Sequence, residues 1–367
     1  MIERRNLAES GRTAYHTNQH HCGRALSWAR SIVHVGDRGG GMSAKLKLLW
    51  AASIALIVGV AIGVTLLKKS VPESIGASGS KGEQIVMITH GQAADPYWNI
   101  VRNGAEEAAR QTGVRLEYRA PETFDMIRMA ELVQSATNQR PAGIIVSIPD
   151  AAALGPAIQA AVIAGIPLLS INSGADVAAG LGSSIHIGQD EYETGKRVGE
   201  RLKQEGAGKV MCVNHEVGNT ALDARCKGVE DGFAGPSIVL PTSNEFHEIK
   251  SKIVAALAGD RAIDALVTLS APLAGDPAVE AVREARRPVM VASFDLSPGF
   301  LEAIRRGEAS FAVDPQAYLQ GYLGVVLLAN RVRYGVMPAN GLIESGPRFV
   351  TKDDAAKVLE LSKKAIR

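Results

Sequence analysis

The sequence predicts an α/β protein with two layered sheets, preceded by an apolar segment of membrane-spanning length. Three observations support this: strand and helix patterns alternate from Gln84 onward, the strand segments are apolar throughout, and one uncharged stretch near the N-terminus has twenty residues. The 46% hydrophobic and 21% charged residues are typical of a folded chain. At 367 residues the chain is long enough for two domains, or for one domain and a targeting segment.

Residues 1–41 hold six arginines and four of the eight histidines without apolar periodicity. We predict that this segment is disordered, or that the true start is Met42, because the following Ser-Ala-Lys-Leu-Lys is typical of a secretory n-region. Residues 1–69 carry ten basic and three acidic residues, which leaves a net charge of −5 over residues 70–367. Nucleic-acid binding needs a clustered basic face, so we expect no nucleic-acid partner.

Residues 48–67 read LLWAASIALIVGVAIGVTLL, a run without charge that as a helix spans roughly 30 Å of hydrocarbon. A buried core helix is the alternative, but lysines at both ends and the lack of a polar face favour membrane insertion. We predict a signal anchor or transmembrane helix over 42–69, with a cleaved signal peptide as the alternative. Lys68 and Lys69 stand where a cleavage site should follow, which favours the anchor. Residues 70–82 are rich in small and turn residues and predict a linker.

From Gln84 the alternation of apolar runs and amphipathic helices is typical of repeated βαβ units. Runs such as Gly143-Ile-Ile-Val are apolar throughout, as expected for parallel strands buried on both faces. Nine or ten strands could form one sheet or two, and the length of the region favours two. The predicted strands lie near 85–89, 114–118, 143–148, 167–171, 209–214, 237–240, 264–268, 289–294 and 309–313. The predicted helices lie near 97–112, 124–138, 151–164, 190–205, 219–234, 246–258, 276–286, 298–307 and 316–334.

The three cysteines are Cys22, Cys212 and Cys226. Cys22 precedes the apolar run, so it is not a lipid-modified cysteine at a processed N-terminus. Cys212 falls on a predicted strand and Cys226 on the helix that follows, and a disulfide between them or two buried thiols are equal alternatives. His186 and His215 have no partner at metal-ligand spacing, so we predict neither a metal site nor a cofactor.

Polar and aromatic residues gather where the predicted strands end, and ligands of open α/β sheets bind beyond those carboxyl ends. The first strand is followed by His90 and then by Asp95, which we predict as the N-cap of a helix. The adjacent Tyr97 and Trp98 predict a stacking platform for a flat ligand face, with filling of the core as the alternative. Further strand ends carry Asn172 and Ser173, then Asn214, His215, Glu216, Asn219 and Arg225, then Ser270, and then Asp295.

Six segments now give the chain a family resemblance: THGQAADPYW, IPLLSINS, GQDEYETG, GNTALDARCKG, SFDLSP and AVDPQAYLQGY. With these segments in this order, the chain resembles the periplasmic sugar-binding proteins of ABC importers, of the ribose/galactose type, over about residues 84–350. The resemblance implies the type I periplasmic binding protein fold, in which two Rossmann-like lobes are joined by a three-segment hinge. It implies residues 83–189 and 316–345 in lobe 1, and residues 190–315 and 346–367 in lobe 2.

The resemblance also implies a set of ligand contacts, with aromatic rings that sandwich a sugar and charged groups that bind its hydroxyls. Three positions depart from the ribose-type pattern, namely Ser173, Ser270 and Pro315, where Arg, Asn and Gln are usual. We therefore expect a monosaccharide, polyol or sugar-like ligand other than ribose. The implied contacts are His90, Asp95, Tyr97, Trp98 and Asn172 in the first lobe, Arg225, Phe246, Ser270 and Asp295 in the second, and Gln316 in place of the usual hinge glutamine. The implied hinge residues are Gln189, Asp190, Asp314 and Pro315.

The function implied by the resemblance is ligand capture without chemistry: the lobes close on the ligand, and an ABC permease in the inner membrane recognises the closed form. The location implied is the periplasm, with residues 48–67 as an inner-membrane anchor. The alternative is a membrane-anchored sensor that presents its closed form to a receptor. A hydrolase or dehydrogenase is disfavoured because the chain has no G-x-S-x-G, H-E-x-x-H, P-loop or first-strand G-x-G-x-x-G motif, so we predict no catalytic residues.

Overall fold

The computed structural model describes residues 43–45, 82–91 and 95–367. The predicted disordered segment, anchor and linker lie outside these residues, apart from 43–45 and residue 82. Within the described ranges, no helix combines the length and the apolar character needed to cross a membrane. The chain divides into two compact units, Met1–Ser78 and Gly79–Arg367, and every element below belongs to the second.

Over residues 82–91 and 95–367 the structure contains twelve strands and ten α-helices. The strands are β1 (Gln84–Ile88), β2 (Arg115–Arg119), β3 (Gly143–Val146), β4 (Leu168–Asn172), β5 (His186–Gly188), β6 (Val210–Asn214), β7 (Ser237–Pro241), β8 (Ala265–Thr268), β9 (Met290–Phe294), β10 (Phe311–Asp314), β11 (Leu342–Glu344) and β12 (Arg348–Val350). The helices are α1 (Pro96–Thr112), α2 (Met126–Gln139), α3 (Ala151–Ile163), α4 (Glu191–Gln204), α5 (Thr220–Phe233), α6 (Phe246–Gly259), α7 (Asp276–Ala285), α8 (Pro298–Arg306), α9 (Ala317–Tyr334) and α10 (Lys352–Ser362). A short π-helix over Ala271–Gly275 leads into α7.

The strands form two six-stranded sheets, in the orders β11-β5-β4-β3-β1-β2 and β12-β10-β9-β8-β6-β7. Neighbouring strands are parallel throughout, except for the antiparallel pair of β10 and β12. Strands β3, β4, β6 and β8 are buried at every residue, which explains their continuous apolar sequences. The predicted α/β fold with two Rossmann-like lobes is thereby confirmed.

Each sheet is covered by helices on both faces, and we call each sheet with its helices a lobe. Lobe 1 contains α1 and α9 on one face of the first sheet and α2 and α3 on the other. Lobe 2 contains α4 and α5 on one face of the second sheet, and α6, α7, α8 and α10 on the other. In open α/β sheets covered in this way, ligands bind beyond the carboxyl ends of the parallel strands.

Three connections join the lobes, and they follow β5, β10 and β11. The hydroxyl of Ser345 holds them together, because its Oγ lies 3.1 Å from the Gly188 carbonyl and 2.7 Å from the Pro315 carbonyl. Gln320 Nε2 donates to the Pro315 carbonyl at 3.1 Å, and Gln316 Nε2 donates to the Ser345 carbonyl. The three-segment connection implied by the fold class is thus present. The residues predicted as a hinge lie at the first two connections: Gln189 and Asp190 after β5, and Asp314 and Pro315 at the end of β10.

Helices α4 and α5 approach each other so closely that the contact has no room for side chains. A Cβ atom at Gly195 would lie 2.2 Å from the Arg225 carbonyl oxygen, and one at Gly228 would lie 2.1 Å from the Tyr192 carbonyl oxygen. Any larger residue at these positions would push the helices apart. The close approach brings Glu191, in the first turn of α4, against Arg225 of α5.

A disulfide between Cys212 and Cys226 ties α5 to β6, the strand that precedes it. The two Cα atoms are 5.8 Å apart, a usual separation for this bond. Of the two alternatives that the sequence left open, the structure contains the disulfide. Because Cys226 follows Arg225 directly, the bond fixes the helix turn that carries Arg225.

We expect reduction of this disulfide to lower the free energy of unfolding by about 3 kcal/mol, because it releases the unfolded chain from a closed loop of about 15 residues. Urea denaturation with and without a phosphine reductant measures the difference. The double variant Cys212→Ala/Cys226→Ala is the control and should be equally unstable in both conditions. An unfolding curve of the wild type that stays unchanged after complete reduction would contradict this expectation.

Candidate ligand-binding cleft

A cavity lies between the two lobes at the carboxyl ends of their strands. Its volume is about 40 Å³, which is room for roughly three waters. The cavity is lined by His90, Asp95, Tyr97, Trp98, Asn172 and Ser173 from lobe 1, and by His215, Glu216, Asn219, Leu222, Arg225, Leu269, Ser270 and Asp295 from lobe 2.

Eight of the ten predicted ligand residues line this cavity, and Phe246 and Gln316 do not. Phe246 begins α6, and its ring packs at 5.7 Å between centroids against His247. Gln316 lies at the second connection between the lobes, where it is bonded to Ser345. The role of the eight residues as ligand contacts stays a prediction.

The aromatic pair after β1 is fixed by the start of α1. Asp95 is the N-cap of this helix, and its Oδ1 accepts from the Tyr97 amide at 2.9 Å. The Tyr97 hydroxyl accepts from Asn172 Nδ2 at 2.7 Å and donates to Gln320 Oε1 at 3.3 Å, which links the pair to the interlobe connections. The rings of Tyr97 and Trp98 are 5.1 Å apart at 86°. Perpendicular rings cannot sandwich a flat ligand between them, so one ring alone can stack on its face.

His90 is fully enclosed between the lobes. Its Nδ1 lies 2.8 Å from Ser147 Oγ, and its Nε2 lies 3.4 Å from Asn219 Nδ2 and 3.8 Å from Glu216 Oε2 across the cleft. Burial, helped by the nearby charge of Arg225, lowers the pKa of His90 to about 3. The imidazole is therefore neutral near pH 7, and its approach to Glu216 is not an ion pair.

Arg225 is a cation that lines the cavity, and it forms two hydrogen bonds to the Glu191 carboxylate. Its Nε and Nη2 donate to the Glu191 carboxylate at 2.6 and 3.0 Å, and its Nη1 donates to the Leu269 carbonyl at 3.1 Å. Gln189 Nε2 also donates to this carboxylate, at 2.9 Å. Burial opposes the charge of Arg225, but the paired Glu191 keeps its pKa above the usual value. The guanidinium also lies 4.6 Å from the centroid of the Phe294 ring.

Three further carboxyl groups reach the cavity. Burial raises the pKa of Asp295 to about 8, that of Glu216 to about 7 and that of Asp95 to about 6. Asn219 Nδ2 donates to Glu216 at 2.8 Å, whereas Asp295 Oδ1 has no hydrogen-bond partner among the described residues. The cavity is therefore rich in groups that accept hydrogen bonds. No group of three or more His, Cys, Asp or Glu side chains in the described ranges is arranged to hold a metal ion.

Several residues at or beside this cavity were not predicted as ligand contacts. His215, Glu216 and Asn219 follow the end of β6, where ligands of such sheets bind. Nothing else in the sequence distinguishes them from ordinary turn residues. Glu191 lies within the GQDEYETG segment, yet an acid in the first turn of a helix is common for electrostatic reasons alone. Its role depends on the approach of α4 to α5.

Direct contacts hold the two lobes together beside the cavity. Thr220, at the start of α5, donates to the Pro149 carbonyl of lobe 1 from both its amide and its hydroxyl, at 3.0 and 2.9 Å. Together with the approach of His90 to Asn219, these bonds define a closed arrangement of the lobes.

Two parallel α/β lobes, three connections and a polar cleft between the lobes define the class of two-lobed ligand-binding proteins. The family model for the periplasmic binding protein domain matches residues 85–335. The chain belongs to this family, as the sequence resemblance implied.

Several proteins similar to this chain are consistent with its membership of this family. A crystal structure of a carbohydrate transporter from Acidothermus cellulolyticus in complex with myo-inositol is 35% identical, with a TM-score of 0.75, and the match covers 78% of this chain and 100% of that one. The xylose/arabinose-binding protein XylF of Sulfolobus acidocaldarius is 24% identical, over 76% of this chain and 74% of its own length. The ribose import binding protein RbsB of Haemophilus influenzae is 23% identical, over 77% of this chain and 92% of its own length.

We expect Asp295 to lower the free energy of unfolding by about 2 kcal/mol as the pH rises from about 6.5 to about 8, measured as the difference between the wild type and a variant that cannot titrate at this position. Over this window folded Asp295 retains a proton that unfolded Asp295 has lost, because its pKa is raised from about 4 to about 8, and such stability disappears as the pH rises. Glu216 adds to the fall because its pKa is raised to about 7, whereas the buried histidines oppose it, since they bind protons in this window only when the chain is unfolded. Urea denaturation at several pH values measures the slope.

The variant Asp295→Asn is the control for this slope, because it keeps the shape of the side chain and cannot titrate. Its stability should vary much less over the same pH range. Equal slopes for the variant and the wild type would contradict the role given to Asp295.

We expect Thr220→Val to weaken ligand affinity about two- to tenfold without a matching loss of stability, because it removes one hydrogen bond that forms only when the lobes are closed. Isothermal titration calorimetry with the tightest ligand measures the change. Thr220→Ser keeps the hydroxyl and should bind as the wild type does. If both variants bind as the wild type does, the Thr220 hydroxyl does not contribute to closure.

Proposed function

We propose that this chain is an extracytoplasmic solute-binding protein that captures a sugar or sugar-like ligand between its lobes and delivers it to an ABC importer. The observation that carries the proposal is the cleft itself, where strand ends of both lobes present an aromatic pair and many hydrogen-bonding groups to one small space. The similar carbohydrate transporter from Acidothermus cellulolyticus holds myo-inositol, which supports a polyhydroxy ligand for this chain as well.

The proposed mechanism is binding by closure, without a chemical step. The lobes separate about the three connections to admit a ligand, and they close so that polar groups of both lobes bind its hydroxyls. A ligand that lacks a matching hydroxyl leaves a buried polar group without a partner, which costs about 1–3 kcal/mol for each group. This cost gives the cleft its selectivity, and the permease of the importer recognises the closed form.

The proposed location is the periplasm, with residues 48–67 as an anchor in the inner membrane. Family membership supports the compartment. The disulfide between Cys212 and Cys226 also supports it, since such bonds persist in oxidising compartments. The anchor is supported by the length and the uncharged character of residues 48–67 alone.

A panel of neutral monosaccharides and polyols, including myo-inositol, tests the proposal on the full chain by calorimetry and melting temperature. We expect at least one compound to bind saturably and to raise the melting temperature. We further expect Trp98→Ala to weaken that binding about 10- to 100-fold, because the indole ring lines the cleft and supports the neighbouring rings of Tyr97 and His90.

The matched control is Phe246→Ala. It removes an aromatic ring of lobe 2 that the sequence resemblance predicts as a ligand contact. Since Phe246 does not line the cavity, its loss should leave the affinity within about threefold of the wild type. If no sugar or polyol binds, the proposed function is wrong. A stronger effect of Phe246→Ala than of Trp98→Ala would show that the ligand occupies a different position.

A further inference from the structure

The charge of Arg225 is neutralised before any ligand arrives. Two of its five N–H groups donate to Glu191 and a third donates to the Leu269 carbonyl, which leaves two for a ligand. Both members of the ion pair are buried, with side-chain exposures of 4% and 8%. Arg225 can therefore donate hydrogen bonds to a ligand, but it adds no net positive charge to the cleft.

The other ionisable groups that line the cleft among the described residues are acids and histidines. Asp95 approaches from lobe 1, and Glu216 and Asp295 approach from lobe 2, where Asp295 keeps its proton near pH 7. His90 and His215 are neutral near pH 7, because burial lowers the pKa of each to about 3. A carboxylate on a ligand would thus be buried beside Asp95 and Glu216, and the only cation among the described lining residues, Arg225, is already paired with Glu191.

The position of Glu191 weakens the attraction of Arg225 for a ligand carboxylate, because Glu191 balances the charge and uses one planar edge of the guanidinium. An arginine with a free planar edge binds a carboxylate through two parallel hydrogen bonds. In this cleft Glu191 occupies such an edge, formed by Nε and Nη2. Gln189 holds the same carboxylate from the first connection between the lobes, so Glu191 is fixed from two sides.

We propose that Glu191 is a specificity-determining residue, which neutralises Arg225 and thereby restricts the cleft to uncharged polyhydroxy ligands and excludes sugar acids. The inference rests on the proposed function and deepens it by naming the charge class of the ligand. Glu191 acts through Arg225 and need not contact the ligand itself.

The test compares ligands that share one ring and differ in charge. Calorimetry at about pH 7 on the full chain measures D-glucose against D-glucuronate and D-galactose against D-galacturonate, with myo-inositol as a further neutral compound. We expect the tightest neutral compound to bind at least about 100-fold more tightly than either uronate, because a buried ion without a partner is strongly unfavourable. In Glu191→Gln the ratio of the uronate Kd to the Kd of the neutral compound should fall by roughly tenfold or more, since one negative charge is removed beside the binding site.

The matched control is Glu193→Gln, which makes the same charge change two residues further along α4 at an exposed position. It should leave the ratio unchanged. A uronate that binds the wild type as tightly as its neutral partner would overturn the inference, and this comparison remains decisive if Glu191→Gln does not fold.

The variant also separates a specific role of Glu191 from a structural one. If Glu191→Gln weakens neutral and acidic ligands by the same factor, Glu191 only supports the fold and the inference is wrong. If the wild type binds only a uronate, the inference fails while sugar binding stands. If it binds none of these compounds and no other sugar or polyol, the proposed function fails, and the inference fails with it.

Discussion

The buried ion pair between Arg225 and Glu191 is the interaction on which the geometry of the cleft depends. Removing two charges from water is costly, and burial is tolerated only where hydrogen bonds replace the lost hydration. Here the two bonds to the Glu191 carboxylate, a third to the Leu269 carbonyl and the Phe294 ring supply that replacement. Helices α4 and α5 must therefore keep their close approach, which is the approach that Gly195 and Gly228 permit.

Most of the fold could be predicted because its signals are local. Continuous apolar strands mark the parallel sheets, and pairs such as Asp95-Pro96 and Ser297-Pro298 mark helix starts that the structure contains. The elements that were missed are the three-residue strands β5, β11 and β12, together with α10. A strand of three residues is defined by its partner rather than by its own sequence, and the partners of β11 and β12 lie far away along the chain.

The part of the site that lies at strand ends could be predicted from the sequence. Asn172 and Asp295 reach the cavity because parallel strands present their carboxyl ends at one edge, whereas Arg225 reaches it from α5. The partner of Arg225 and the perpendicular setting of the aromatic rings depend on helix spacing and side-chain rotation, which no local pattern encodes. Family resemblance predicts Phe246 as a ligand contact; its ring lies against His247 and outside the cavity lining, and its role stays a prediction.

The charges of the cleft also connect binding to closure. Closing the lobes brings Asp95 of lobe 1 towards Asp295 of lobe 2, and the proximity of these acids adds to the rise in the pKa of Asp295. Acids brought together out of water either keep a proton, as Asp295 does near pH 7, or need hydrogen-bond donors beside them. A ligand with many hydroxyl groups supplies such donors. When the lobes stay apart, water between them hydrates the same groups. In the proposed mechanism the ligand therefore favours closure for the same reason that the cleft selects it: its hydroxyls pair with polar groups that closure buries.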